Sequence, residues 1–270
     1  MPKSGKGKTP LRALAPALPA LAVMAAAFVW PLARLMAQAF SRGDEARAGL
    51  VRVFVEAPNR RALLDSLGLS LVVALLAVAI CLPAAVALAR GRFRGRSLLR
   101  AALAVPLSLS GVVVGFLAIA MLGNAGALPR LLHADWLKGS AYGLGGLGVA
   151  YLYFEIPRAI LTMEAALAAV DEGLLEAART LGARPAQVAR LVFWPLCAPA
   201  MRAAFGVTFA ASLGSFGVAL ILAARFPILP VELYRAFTGT LDDPLAAGMA
   251  LTLAAVALLV LALVEKRRVA

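Results

Sequence analysis

The sequence predicts an all-α fold, a polytopic membrane protein with about six transmembrane helices and a helical cytoplasmic loop. Three observations lead there. Apolar residues make up 62% of the 270 and the mean hydropathy is +0.88, well beyond a soluble domain, whose apolar share is about half. Six apolar stretches, roughly 14–33, 67–89, 101–122, 142–161, 203–224 and 245–264, are long enough to cross hydrocarbon, which takes about 20 residues of helix. The basic residues, finally, crowd into alternate connections.

Lys3, Lys6, Lys8 and Arg12, then Arg90, Arg92, Arg94, Arg96 and Arg100, then Arg158, Arg179, Arg184, Arg190 and Arg202, then Lys266, Arg267 and Arg268 fall on one side, seventeen of the 27 Lys and Arg. The other side holds the remainder, offset by Asp44, Glu45, Glu56, Asp65, Asp135, Glu232, Asp242 and Asp243. Cytoplasmic connections collect Lys and Arg, so both termini and the loop at 163–195 are expected in the cytoplasm of a cell whose plasma membrane holds the chain. The net charge of +13 is therefore read as topology and not as a nucleic-acid site. Cys81 and Cys197 lie in or beside apolar spans with no pair spacing, so neither a disulfide framework nor a metal site is expected, and nothing calls for a cofactor.

In chain order, Lys3 to Phe28 imitates a secretory signal, but the length of the run and Pro16, Pro19 and Pro31 point to a retained first helix that leaves the membrane near Arg34. An external connection of about 25 residues is expected from Ser41 to Asp65, and a second span with Ser66, Ser70 and Pro83 ends in an Arg-rich turn. The third span carries Pro106, Ser108, Ser110, Gly111 and Gly115, small or polar groups that suit close helix packing or line a path. His133, the single histidine, falls in the next external loop with no second ligand near it. Gly143, Gly145, Gly146 and Gly148 match a dinucleotide fingerprint in letters only, since no strand precedes them; helix packing is the plainer reading. Within the fourth span Glu155 must be paired or face a polar cavity, and it either pairs with Arg158 or lies along a solute path. In the fifth span, the run from Ser212 to Gly217 loosens the helix, which membrane depth tolerates beside protein or a watery cavity. Gly214, Ser215, Phe216 and Gly217 are thus candidates for a gate, with a packing notch as the alternative. The last span closes at Glu265 to Arg268, and the whole divides into 1–65, a core at 66–265 containing the 163–195 loop, and a tail at 266–270.

That loop is rich in alanine, carries Glu164, Asp171, Glu172, Glu176, Arg179, Arg184 and Arg190, and is interrupted by Gly182 and Pro185, a helix, turn, helix pattern. Glu176-Ala177-Ala178, Gly182 four positions on and Pro195 thirteen after that resemble the EAA loop of permease subunits of binding-protein-dependent type I ABC importers. The resemblance extends over most of 66–265 and departs at Trp194, where the family has leucine. It implies an ATP-driven uptake system with two permease subunits, alike or different, two cytoplasmic ATP-binding subunits and an external solute-binding protein, in a bacterial-type inner membrane. Glu176, Ala177, Ala178, Gly182 and Pro195 would then face the ATPase, and the loop would be a coupling loop. Around Gly214 the chain looks like permeases for oxyanions, ferric ion, thiamine or polyamines, although Ser215 stands where several oxyanion permeases have an acid, so the solute stays open.

Gly7-Lys8-Thr9 imitates the end of a nucleotide-binding loop without its first glycine or strand, so the energy is expected from a partner. A secondary transporter or channel not driven by ATP would explain the spans but leave the loop unemployed. A membrane enzyme is disfavoured because no nucleophile and base share a depth.

Overall fold

The computed structural model describes residues 18–40, 48–91, 93–170, 173–223 and 226–269, and among these every regular element is helical. Lys3, Lys6, Lys8, Arg12, Arg92, Asp171 and Glu172, together with Gly7-Lys8-Thr9, lie outside the described residues. The helices are α1 (Leu18–Phe40), α2 (Gly49–Val55), α3 (Ala57–Arg90), α4 (Arg96–Ser108), α5 (Gly111–Leu122), α6 (Ala127–Leu131), α7 (Leu144–Ala168), α8 (Gly173–Thr180), α9 (Pro185–Leu213), α10 (Phe216–Leu222), α11 (Leu229–Thr238) and α12 (Asp243–Val269).

Val23–Phe40, Ala57–Arg90, Gly111–Leu131, Pro185–Leu213 and Asp243–Val264 are long and apolar enough to cross a membrane. The 25 residues of α7 reach about 38 Å, and this helix brings the crossing elements to about six. It carries three charged side chains, Glu155, Arg158 and Glu164, of which the two carboxylates are buried. It sits inside, between α3 and α9, and packs most extensively against those two.

Small side chains set that centre. Ala77, Cys81 and Ala85 of α3, Ala159 of α7, and Cys197, Ala200 and Ala204 of α9 are buried against one another, with Leu88, Met163 and Leu167 filling the remaining space. Lipid tails are as apolar as these residues, so association rests on close van der Waals packing, which small residues permit, and on polar links between helices. One such link is the backbone N–H of Leu229, which starts α11 and donates to Ser66 Oγ of α3 at 2.8 Å. Another gathers α2, α3 and α12: Arg52 donates to Glu56 and to Asp242, both at 2.6 Å, and Asp242 accepts from the Leu245 N–H at the head of α12. Burial works against the Arg52 charge, but the two carboxylates outweigh it and hold the guanidinium above its ordinary range.

Several sequence expectations change. Helix α1 runs on past Arg34 to Phe40, with Ala39 buried and Met36 and Phe40 exposed. The expected connection at 41–65 is instead helical over Gly49–Val55 and from Ala57 onward, with Pro58 in the first turn of α3, where its missing N–H costs nothing. The single span expected at 101–122 is two helices, parted by extended backbone at Leu109 (ψ 145°) and Ser110 (ψ 149°). The span expected at 203–224 is broken where the run from Ser212 to Gly217 is expected to loosen it, with α9 ending at Leu213 and Ser215 extended (ψ 95°) before α10. The connection expected at 225–244 contains α11.

The two broken spans cross at glycines. A β-carbon on Gly217 would lie 2.9 Å from the Val112 backbone nitrogen, and one on Gly111 would lie 3.1 Å from that of Val218. Backbone meets backbone there, so neither side can give way. Gly217→Val is expected to cost about 1–3 kcal/mol through overpacking and to lower the melting temperature of the purified protein, whereas Gly145→Ala, which meets nothing within 4 Å, should leave it nearly unchanged.

Candidate functional site

Two regions hold the residues singled out in the sequence. The first is an elbow built by α8 and the start of α9. Helix α8 stops at Gly182, whose φ of +81° only glycine adopts without strain. Around it the Ala183 N–H donates to the Ala178 carbonyl at 3.2 Å and the Gly182 N–H to the Arg179 carbonyl at 3.0 Å, the paired bonds that close a helix over a left-handed glycine. Arg184 is extended, its N–H donates to Gln187 Oε1 at 2.8 Å, and Pro185 opens α9. Glycine as stop and proline as start thus produce the expected bend.

No residue of α8 is buried. Glu176, Ala177 and Gly182 are exposed and Ala178 is half-buried, and a large apolar side chain, Leu181, is 88% exposed at the helix end. Pro195 is not part of this bend. It lies inside α9, roughly 15 Å along the axis from Pro185, just after a wide π-type turn at Val188–Phe193, where the helix accommodates a residue that cannot donate. The loop expected at 163–195 is therefore shorter at both ends, since Met163 to Ala168 belong to α7.

Glu164, expected in the loop, is 5% exposed and lies in the core. It accepts from Arg100 Nε of α4 at 2.6 Å and faces Arg96 at 3.7 Å, while Arg96 also donates to the Ala89 carbonyl near the end of α3. These contacts tie α4 to α7 and α3. Sequence gave no signal for them, because the partners are 64 residues apart.

The second region is a cavity of about 310 Å³ between α4, α5, α7, α9 and α10, lined among others by Gly111, Tyr151, Glu155, Arg158, Ser215 and Gly217. Phe216 also lines it, and Gly214 does not. It opens where the two broken spans meet. Breaking the helices turns backbone toward the interior, which is tolerated beside a cavity, and the Ser215 carbonyl is partly satisfied by the Tyr151 hydroxyl, which donates at 2.8 Å. Glu155, 3% exposed, accepts from Arg158 Nη1 at 2.6 Å. The pairing is through one oxygen and one nitrogen: Oε2 makes no hydrogen bond among the described residues. Glu155 is thus paired with Arg158 and also lines the cavity. Tyr151 was missed by sequence reading, although it stands one helical turn before Glu155 on the same face. Among the described residues no group of His, Cys, Asp and Glu side chains is arranged to hold a metal ion.

The model of the binding-protein-dependent transport system inner membrane component family matches residues 80–266. The chain belongs to this family. It is a permease of the type found as inner membrane components of binding-protein-dependent transport systems, seated in that membrane through several passes. Among its relatives, a probable molybdenum ABC transporter permease of Haloferax volcanii is 35% identical over 166 residues, 62% of this chain and 60% of the relative, so the permease spans somewhat under two thirds of that protein. The sulfate transport system permease CysW of Synechococcus elongatus is 28% identical over 227 residues, 78% of this chain and 75% of the relative. A crystal structure of a bacterial ABC transporter involved in import of the acidic polysaccharide alginate superposes with a TM-score of 0.75 over 94% of each chain at 18% identity, a likeness of fold.

The ion pair in the permease cavity is asymmetric, since the Arg158 side chain is 31% exposed and that of Glu155 only 3%. Removing the arginine strands a buried carboxylate, at a cost of about 3–5 kcal/mol, whereas removing the carboxylate leaves a guanidinium that still reaches the cavity. Arg158→Leu should therefore lower the melting temperature of the assembled transporter several degrees further than Glu155→Gln, as read by thermal unfolding in detergent; equal losses would contradict this ordering.

Proposed function

We propose that this permease pairs with a second permease subunit, the same or a different chain, and passes an oxyanion inward from an external solute-binding protein, driven through the elbow by cytoplasmic ATP-binding subunits. The exposed α8 carries the reading: a short helix with an alanine face and no buried residue, mounted on α9, which also packs in the core, offers a partner a rigid handle. Glu176, Ala177, Ala178 and Gly182 form the docking face, with Leu181 as an apolar contact; Pro195 acts from within α9, beside the wide turn. A helix of this kind fits a groove through its small face, while charges at its ends set register. Both termini and the elbow lie on the cytoplasmic side, in line with the basic residues that collect there.

The solute path runs past the cavity at Glu155 and Arg158, gated by the breaks around Gly214–Gly217. The names of the relatives, for molybdenum and sulfate transport, support a small oxyanion, and Arg158 supplies a partly exposed guanidinium of the right charge and planar geometry. A net-neutral Arg–Glu pair suits a path better than a lone arginine, since a site on a path must hold its solute weakly enough to let it leave. The chain itself contributes no hydrolysis; the chemistry of ATP stays in the partner.

The test is co-purification of the ATP-binding subunits with the permease, together with ATP-dependent uptake in vesicles. Glu176→Lys should reduce association with the ATPase by about ten-fold or more. Gly182→Ala, which strains only the backbone because nothing lies within 4 Å of the new β-carbon, should weaken coupling without blocking insertion. Unchanged association and uptake in both variants, or uptake that needs a proton or sodium gradient and no ATPase, would overturn the reading.

A further inference from the structure

Behind α8 lies a second cavity, of about 470 Å³, whose walls include Val86 and Arg90 of α3, Leu175 and Arg179 of α8, and Val188 and Phe193 of α9. Among the described lining residues the charged groups are two arginines. Arg90 is held awkwardly: its Nε and Nη2 are shut off from water and have no hydrogen-bond partner among the described residues, and its guanidinium lies 5.9 Å from the centre of the Phe193 ring. Buried charged donors are ordinarily satisfied, and leaving one unmade costs about 1–3 kcal/mol or more. The cation–π contact covers one face of the guanidinium and Nε and Nη2 are enclosed, so a ligand in the cavity meets Arg90 through Nη1.

The rest of the wall is apolar, and the place in the membrane is defined. Arg90 is the last residue of α3 and directly follows the apolar stretch 67–89, so it stands at headgroup depth; Arg96 and Arg100 follow in the first turns of α4. Two guanidinium groups beside an apolar wall at that depth match a molecule with a phosphate at one end and hydrocarbon at the other. Basic pockets between membrane helices on the cytoplasmic side take such headgroups, whereas a soluble anion would leave the apolar wall without a partner.

We propose that this cavity binds one anionic phospholipid, its phosphate oxygens taken by Arg90 and Arg179 and the first methylenes of its chains lying along Val86, Leu175, Val188 and Phe193. Arginine suits the phosphate because its planar fork offers paired donors. The lipid bridges α3, part of the core, and α8, which has no buried residue of its own, and so forms part of the mounting of the elbow. Binding does not depend on the transport reading; only its consequence for coupling does.

The experiment uses the assembled transporter in nanodiscs of phosphatidylglycerol and phosphatidylcholine mixed in equal parts, followed by mild detergent release and native mass spectrometry. The wild type should retain phosphatidylglycerol in preference to phosphatidylcholine. Arg179→Gln, on an exposed side chain that folding does not need, should weaken that preference about ten-fold, as should Arg90→Gln, since one charge-assisted hydrogen bond is worth about a factor of ten; Arg90→Lys should restore part of it. Retention that is the same in the Arg90→Gln, Arg179→Gln double variant as in the wild type overturns the proposal. Displacement of the lipid by glycerol phosphate at equal concentration also overturns it, by assigning the site to a soluble phosphate. Loss of lipid preference with intact ATPase association would leave the function proposed above standing, and the reverse result would leave the lipid site standing.

Discussion

The structure depends on keeping two carboxylates of α7 out of water without leaving either uncompensated. Glu155 and Glu164 are both buried, and an ionised carboxylate in a low-dielectric interior is tolerated only with a cation and further hydrogen bonds. The two solutions differ. Glu155 is answered from its own helix by Arg158, which leaves it free of any neighbouring element and open to a cavity. Glu164 is answered from α4 by Arg100 and Arg96, which fixes α4 against the same helix. Helix α7 cannot face lipid with these groups, so it takes the central place, and α3 and α9 must enclose it. The small residues at their contacts follow from that, because only close approach excludes lipid and water from the charged face.

The enclosing helices in turn create the cavity. Were α4 and α5 one straight helix, and α9 and α10 another, two continuous rods would pass each other with side chains between them. Instead both are interrupted, and the breaks come together at Gly111 and Gly217, where the backbones approach too closely for a β-carbon. The freed peptide groups need polar neighbours, and Tyr151 provides one at Ser215. The same geometry that opens the helices gathers Glu155 and Arg158 beside them. A cavity with its polar groups supplied by backbone breaks and one ion pair is easier to reshape than one built of regular helix, since a break can move with few hydrogen bonds lost.

Much of this was legible in the sequence, and the limits of what was legible have physical causes. Composition and charge asymmetry announced a multi-pass membrane fold, and Gly182 with Pro185 announced the bend, because left-handed backbone and a missing N–H are properties of single residues. The loosening near Gly214 was legible for the same reason. What stayed hidden was pairing between distant segments. Nothing in the run around Arg96 and Arg100 points to Glu164, so an acid that belongs to the core read as part of a solvated loop. Pro195 ends no helix, since a wide turn just before it absorbs the missing donor. The connections read as loops at 41–65 and 225–244 contain α2 and α11, helices whose ends are satisfied by tertiary partners such as Ser66 at Leu229, and such partners do not show in local sequence.

The elbow and the cavity are linked by rigid elements and not by a chain of side-chain contacts. Helix α9 begins at the elbow with Pro185 and ends at Leu213, beside the break that lines the cavity, and α7 carries Glu155 and Arg158 and ends at Ala168, just before α8. In the proposed function a push on α8 reaches the cavity along two helices that are packed against each other and against α3. Packed interiors transmit displacement because they are dense and little compressible, and the wide turn at Val188–Phe193 is the one departure from regular geometry between the elbow and the body of α9. That turn can change its bonding by one residue while the helix stays continuous. The movement available to the cavity is then a tilt or slide of α9 relative to α7, and its most sensitive point is the crossing of Gly111 with Gly217, where there is no side chain to absorb a shift.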